Sequence, residues 1–219
     1  MNQAPPGNES AFRALRQFVR RKPGGEHCEL CSAQVGLGHP HLIEPGSRKL
    51  LCACNACAIL FGGMGTKYKR VPRRVLAFPD FHLSDGQWES LMVPISMAFF
   101  FRSTPDARVV AFYPSPAGAI ESQLPLETWK GIEDENPGLE EMEADVEALL
   151  VNRVGHARGF GGPEYYLIPI DECYRLTGMI RSHWKGLSGG TEVWQEIGKF
   201  FAALKSRATA VKRASACLT

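Results

Sequence analysis

A chain of 219 residues, 44% hydrophobic and 22% charged, is globular, with room for one good core and an appendage. Its net charge of +2 hides a division: residues 1–74 hold 12 Lys and Arg against 4 Asp and Glu, residues 75–150 hold 3 against 14, and residues 151–219 hold 10 against 5. The longest apolar run, Leu91 to Phe101, is too short for a bilayer and is broken by Pro94, which excludes a spanning helix there. The polar first ten residues lack the apolar segment of a secretory signal. A soluble cytoplasmic protein with reduced cysteines is expected.

In chain order, a tail is followed by a short basic helix over 11–22, with Phe12, Leu15, Phe18 and Val19 on one face. It is too brief to hold a membrane alone and is expected to pack beside the module that follows. That module, residues 23–62, holds five of the seven cysteines: Cys28, Cys31, Cys52, Cys54 and Cys57. Two C-x-x-C pairs, Cys28/Cys31 and Cys54/Cys57, have the spacing at which four thiolates close a tetrahedron around a metal. Gly24 and Gly25 loosen the chain before the first pair. The segment around His39, His41 and Ile43 turns at Glu44-Pro-Gly-Ser47 and returns through Arg48–Leu51, as a hairpin does. Asn55–Phe61 reads as a short helix stopped by Gly62-Gly63, with Cys54 and Cys57 on one face.

Knuckle, hairpin and a ligand-bearing first helical turn together resemble a treble-clef zinc finger. The expected cofactor is one structural zinc held by Cys28, Cys31, Cys54 and Cys57. A rubredoxin-like iron site is the alternative; its knuckles carry glycine after the second cysteine, where this chain has Ser32 and Ala58. Cys52 is an alternative to Cys54 as ligand, and His39 and His41 either replace a thiolate or simply sit on the surface.

Residues 63–74, glycine-rich and then basic, read as a linker. The glycines form no phosphate loop, because no strand precedes them and no G-K-[ST] ending follows. The domain expected over 75–205 is α+β, an antiparallel sheet with packed helices. Its strand-like runs are 74–79, 95–102, 108–113 and 118–123, the last three joined as a meander with one buried face. Ser84 reads as a helix cap. The spacing of Leu139, Met142, Val146, Leu149 and Leu150 predicts a helix over 139–152, its glutamates facing water. A Gly-rich loop over 155–162 leads to a strand at 165–170. A helix capped by Asp171 follows, then a last helix over 191–204, and the basic tail 206–219 is expected to be mobile.

No G-x-S-x-G, Walker A or H-E-x-x-H motif occurs, and no residues assemble a nucleophile, base and orienter, so a non-enzymatic protein is expected. Three stretches carry a further resemblance: CELC, HLIEPGSRKLLCACNACAILF and YYLIPIDECYRLTGMIRSHWKGLSGG. They resemble an uncharacterised bacterial family encoded beside uptake [NiFe]-hydrogenase genes. The resemblance covers nearly the whole chain and carries over to the five cysteines and to Asp171, His183, Trp184 and Gly186. It implies a role in assembly, electron supply or regulation of a hydrogenase, with a hydrogenase subunit or maturation factor as protein partner. The alternatives are an iron electron carrier and a zinc-dependent nucleic-acid-binding regulator. The latter lacks aromatic and basic residues interleaved on one recognition element.

Overall fold

The computed structural model describes residues 25–211 except Met64, Gln123, Pro125, 158–160 and 187–188. The helix expected over 11–22 lies outside the described residues. The first part of the fold is a small module. Strands β1 (Glu26–His27) and β2 (Gln34–Val35) pair antiparallel around Cys28 and Cys31. Strands β3 (His41–Glu44) and β4 (Lys49–Cys52) form the expected hairpin, and helix α1 (Asn55–Phe61) follows.

Gly62 caps α1, at a point where no side chain fits. A Cβ there would lie 2.5 Å from the Ala58 carbonyl oxygen and 2.9 Å from both Leu42 Cδ2 and Arg70 Cβ. Gly62→Ala is therefore expected to overpack the module and destabilise it by about 1–3 kcal/mol, read as a lower midpoint in denaturant melts.

The expected linker is held down along its second half. Lys69–Arg70 form β5, which pairs with β3 and completes a three-stranded sheet in the order β4-β3-β5. Val71 and Val75 are buried in the main core together with Ile43 of β3. The module and the larger domain thus share apolar contacts.

The larger domain is built on a seven-stranded sheet. In chain order its strands are β6 (Leu76–Ala77), β7 (Met97–Ser103), β8 (Arg108–Ser115), β9 (Gly118–Ser122), β10 (Glu147–Asn152), β11 (Glu164–Pro169) and β12 (Thr209–Ala210). The spatial order is β12-β6-β11-β10-β7-β8-β9, antiparallel except for the β12–β6 edge pair. The meander β7-β8-β9 forms as expected, with Phe99 opposite Phe112 and their rings stacked at 5.6 Å.

Both faces of this sheet are buried, where one was expected. Side chains alternate along each strand. Phe99, Phe101, Val110, Leu150 and Ile168 face helices α5 (Ile170–His183) and α6 (Gly190–Arg207). Ala98, Phe100, Ala111, Leu149 and Leu167 face Trp129 and Ile132 of helix α3 (Leu126–Glu135) and the loop residues Leu139 and Met142. Two short helices, α2 (Asp85–Ser90) and α4 (Val154–Ala157), lie in connections. Ser84 caps α2 in a reciprocal box with Gln87.

The helix predicted over 139–152 is absent. A 3₁₀ turn spans Pro137–Glu141, and Glu147–Asn152 is β10, a central strand buried on both faces. A strand covered on both sides reads as a continuous apolar run, which mimics helical spacing over so short a stretch. Asp171 does not cap α5: Pro169 is at the N-cap and Asp171 stands in the first turn. The segment expected as a mobile tail begins with the end of α6 and with β12, whose Thr209 N–H donates to the Val75 carbonyl at 2.9 Å.

Among the described residues, part of the charge division of the sequence is met inside the chain. Lys69 Nζ lies 2.6 Å from Asp145, and Arg48 lies 2.6 Å from Asp106 and 3.0 Å from Glu121. Arg74 forks onto the fully buried Glu147, with Nε 2.6 Å from Oε1 and a terminal nitrogen 2.8 Å from Oε2. Basic residues of the first third so bind the acidic middle.

Candidate metal centre

Four cysteine sulfurs converge where the knuckle meets the start of α1. Cys28, Cys31, Cys54 and Cys57 each place Sγ within 4.8 Å of the other three, a group able to hold a metal ion. The Cys31 and Cys54 sulfurs are 3.7 Å apart. Thiolates around one tetrahedral ion stand about 3.8 Å apart, given a metal–sulfur bond of about 2.3 Å. The residues fit a metal tetrathiolate.

Local backbone structure explains the convergence. The knuckle is closed by the Cys28 N–H on the Ala33 carbonyl and the Ser32 N–H on the Cys28 carbonyl, both 2.8 Å. Ser32 takes a left-handed φ of 63°, the conformation that glycine adopts most easily. The lack of glycine there does not separate zinc from iron, because the backbone makes the same turn. Cys54 is the N-cap of α1, and its sulfur accepts from the Cys57 N–H at 3.4 Å. Glu29 ties the knuckle to β4, since its carboxylate accepts from the Cys52 N–H and its own N–H donates to the Cys52 carbonyl, each 2.8 Å.

Cys28 and Cys57 do not ionise alike. Burial works against the Cys28 thiolate, but hydrogen bonding from the backbone of Cys54, Cys31 and Leu30 outweighs it and brings this thiol down to about 6. Burial and the neighbouring sulfurs push Cys57 up to about 12. Crowded thiolates repel one another, and a cation placed among them removes that penalty.

Cys52, His39 and His41 lie apart from this cluster. They gather separately, with one ligand atom from each lying within 4.8 Å of the others. His41 Nδ1 is 2.6 Å from Asp171 Oδ2, across 130 positions of sequence. That carboxylate raises the His41 pKa above the ordinary histidine value, against a smaller opposing effect of burial. No local signal in the sequence joins Asp171 to His41.

The other residues of the late stretch lie elsewhere. His183 ends α5 with Nδ1 on the Met179 carbonyl at 2.9 Å, and Trp184 donates to the Gly186 carbonyl at 2.9 Å. Gly186 has φ 62°. Trp184 and Trp194 help line an apolar cleft of about 440 Å³ with Ile95, Tyr113 and Ile197. Cys173, by contrast, is completely buried on α5 and its thiol is pushed well up by that burial, which makes it a core side chain. Among the described residues no helix is long and apolar enough to cross a membrane.

A family model described as a family of unknown function, DUF5947, matches residues 27–208. The chain belongs to this family. The match begins at the knuckle and ends beside the edge strand β12, so the DUF5947 region takes in the cysteine module and the other six strands of the large sheet. No curated protein and no solved structure matches the chain.

Proposed function

We propose that this protein is a non-enzymatic, zinc-binding accessory protein that works by contact with another protein. The observation that carries the reading is the closed four-sulfur cluster at the base of α1, whose other face is turned outward. Four thiolates leave a metal no open position, so the ion serves folding rather than catalysis. Zinc is preferred to iron because the second cysteine pair sits on a helix start and not on a second knuckle. On α1, Ile59 and Leu60 are 70% and 69% exposed and Phe61 is 43% exposed. Three adjacent apolar side chains on a metal-braced helix suit a protein partner. From the sequence resemblance, the partner we favour is a [NiFe]-hydrogenase subunit or a maturation factor.

One observation favours a second reading, an iron electron carrier: Cys31 is exposed, which would put one ligand of the metal at the protein surface. Colour separates the two, since a ferric tetrathiolate absorbs visible light and zinc does not. A band that bleaches on reduction would put the carrier reading first.

Deleting the gene in a host that has such a hydrogenase is expected to lower hydrogen uptake while transcription of the structural genes stays normal. Complementation with an Ile59→Ser/Leu60→Ser form, folded and metal-loaded, is expected to fail. Unchanged uptake in the deletion strain would remove the hydrogenase role, and full complementation by the serine form would remove α1 as the contact.

A further inference from the structure

We propose that His39, His41 and Cys52 form a second metal site, separate from the four-thiolate cluster, which takes one zinc-class divalent ion and leaves one coordination position open. His41 and Cys52 are direct partners in the β3–β4 register, so their side chains leave the hairpin on one face. His39, two residues earlier, sets its ring edge-on to His41 with centroids 4.8 Å apart. Ligand atoms around a tetrahedral ion with nitrogen and sulfur bonds of about 2.0–2.3 Å stand roughly 3.3–3.8 Å apart. Their present spacing, within 4.8 Å, asks for at most about 1.5 Å of closure to reach it.

The outer contacts are those of ligating histidines. His39 Nδ1 faces the Gly36 carbonyl at 3.0 Å and the Glu26 carboxylate at 3.3 Å. His41 Nδ1 faces Asp171 at 2.6 Å. Each Nδ1 therefore donates its proton outward, which leaves the lone pair on Nε2. A carboxylate or carbonyl behind the ring is how metal-bound histidines are fixed.

The independent observation is His39 Nε2. Its side chain is only 7% exposed, and this nitrogen is buried with no hydrogen-bond partner among the described residues. A buried acceptor left alone is costly and calls for a ligand. Two imidazoles and one thiolate suit zinc, and three protein donors are the number found where zinc keeps a fourth position for water or an exogenous ligand. Asp171, at the start of α5, is a positioning residue that holds His41 from the larger domain.

This site stands independently of the function proposed above. Full-length protein loaded with zinc and cleared of loose metal by gel filtration is expected to hold two ions per chain. His39→Gln and His41→Gln are each expected to hold one, while the cobalt(II) thiolate charge-transfer band of the four-cysteine site persists. One ion in the unaltered protein, or two in both histidine variants, overturns the proposal. Asp171→Asn is expected to weaken the second ion by about 10–100-fold in chelator competition and leave the first unchanged; equal affinity overturns the positioning role. Because histidine substitutions can disturb the hairpin, X-ray absorption of the unaltered zinc-loaded protein is the check that needs no variant. Nitrogen as well as sulfur neighbours are expected, and a shell of sulfur alone overturns the site. The histidine variants report on this site and the cobalt(II) band on the four-sulfur one, so failure of either site is read separately.

Discussion

Cys31→Ser is expected to lose the ion of the four-sulfur cluster and, with it, the fold of the module. Little apolar surface holds these residues together: the module core consists of Leu42, Leu51, Ala53 and Ala58 with Cys28 and Cys57 themselves. Apparent binding energies of structural zinc in small modules reach about 10–16 kcal/mol, and there that energy is the folding energy. Removing one thiolate opens the tetrahedron and leaves three sulfurs that repel one another without full compensation. Metal analysis is expected to show loss of this ion, and amide exchange across 26–62 is expected to become fast. Cys54→Ser is expected to match it, whereas Cys52→Ser should retain this ion. A Cys31→Ser chain that keeps the ion would remove the four-thiolate assignment. If Cys52→Ser strips it and Cys54→Ser does not, the fourth ligand is Cys52.

Arg74→Met is the second large effect. It removes the guanidinium from Glu147, a carboxylate with 0% exposure in the centre of the fold, whose Oε2 also accepts from the Glu143 N–H at 2.9 Å. Breaking a buried pair from one side costs about 3–5 kcal/mol. The lower end applies, because the Arg74 side chain is 42% exposed and water reaches the pair. About 3 kcal/mol corresponds to a fall in melting temperature of roughly 6–12 °C for a domain of this size. Arg74→Met/Glu147→Leu is expected to recover most of the loss, since no charge is then stranded. A single variant that melts with the unaltered protein would show that Glu147 does not depend on Arg74.

How far the sequence revealed this molecule depends on the range of the interaction. The cysteine spacing, the turn at Glu44–Ser47 and the helix stop at Gly62 are local, and they led to the hairpin and α1 almost residue for residue, but not to β5 in the expected linker. The meander was legible because its turns are short and its strands are rich in aromatic and β-branched residues. The centre of the sheet was not. Glu147–Asn152 is apolar on both faces, and only its pairing with 97–100 and 164–169 makes it a strand. The acidic residues around it looked like a wet helical face, yet Asp145 and Glu147 are buried under Lys69 and Arg74. The His39, His41 and Cys52 group was visible only as spare ligands, because the tell-tale carboxylate of Asp171 arrives from the far side of the chain.

The edge pair β6–β12 also sets an order on folding. Leu76 pairs with Thr209, so this parallel ladder cannot form on the ribosome until residue 209 has emerged. Leu76 and Ala77 pair on their other side with β11, itself a late segment. The cysteine module needs nothing beyond Arg70 for its own sheet. A nascent chain therefore exposes a complete metal-binding module long before Val75 and its neighbours have a sheet to join. Metal loading can precede tertiary closure, and the emergence of β12 is the step that seals the basic strap 69–75 against the body of the protein.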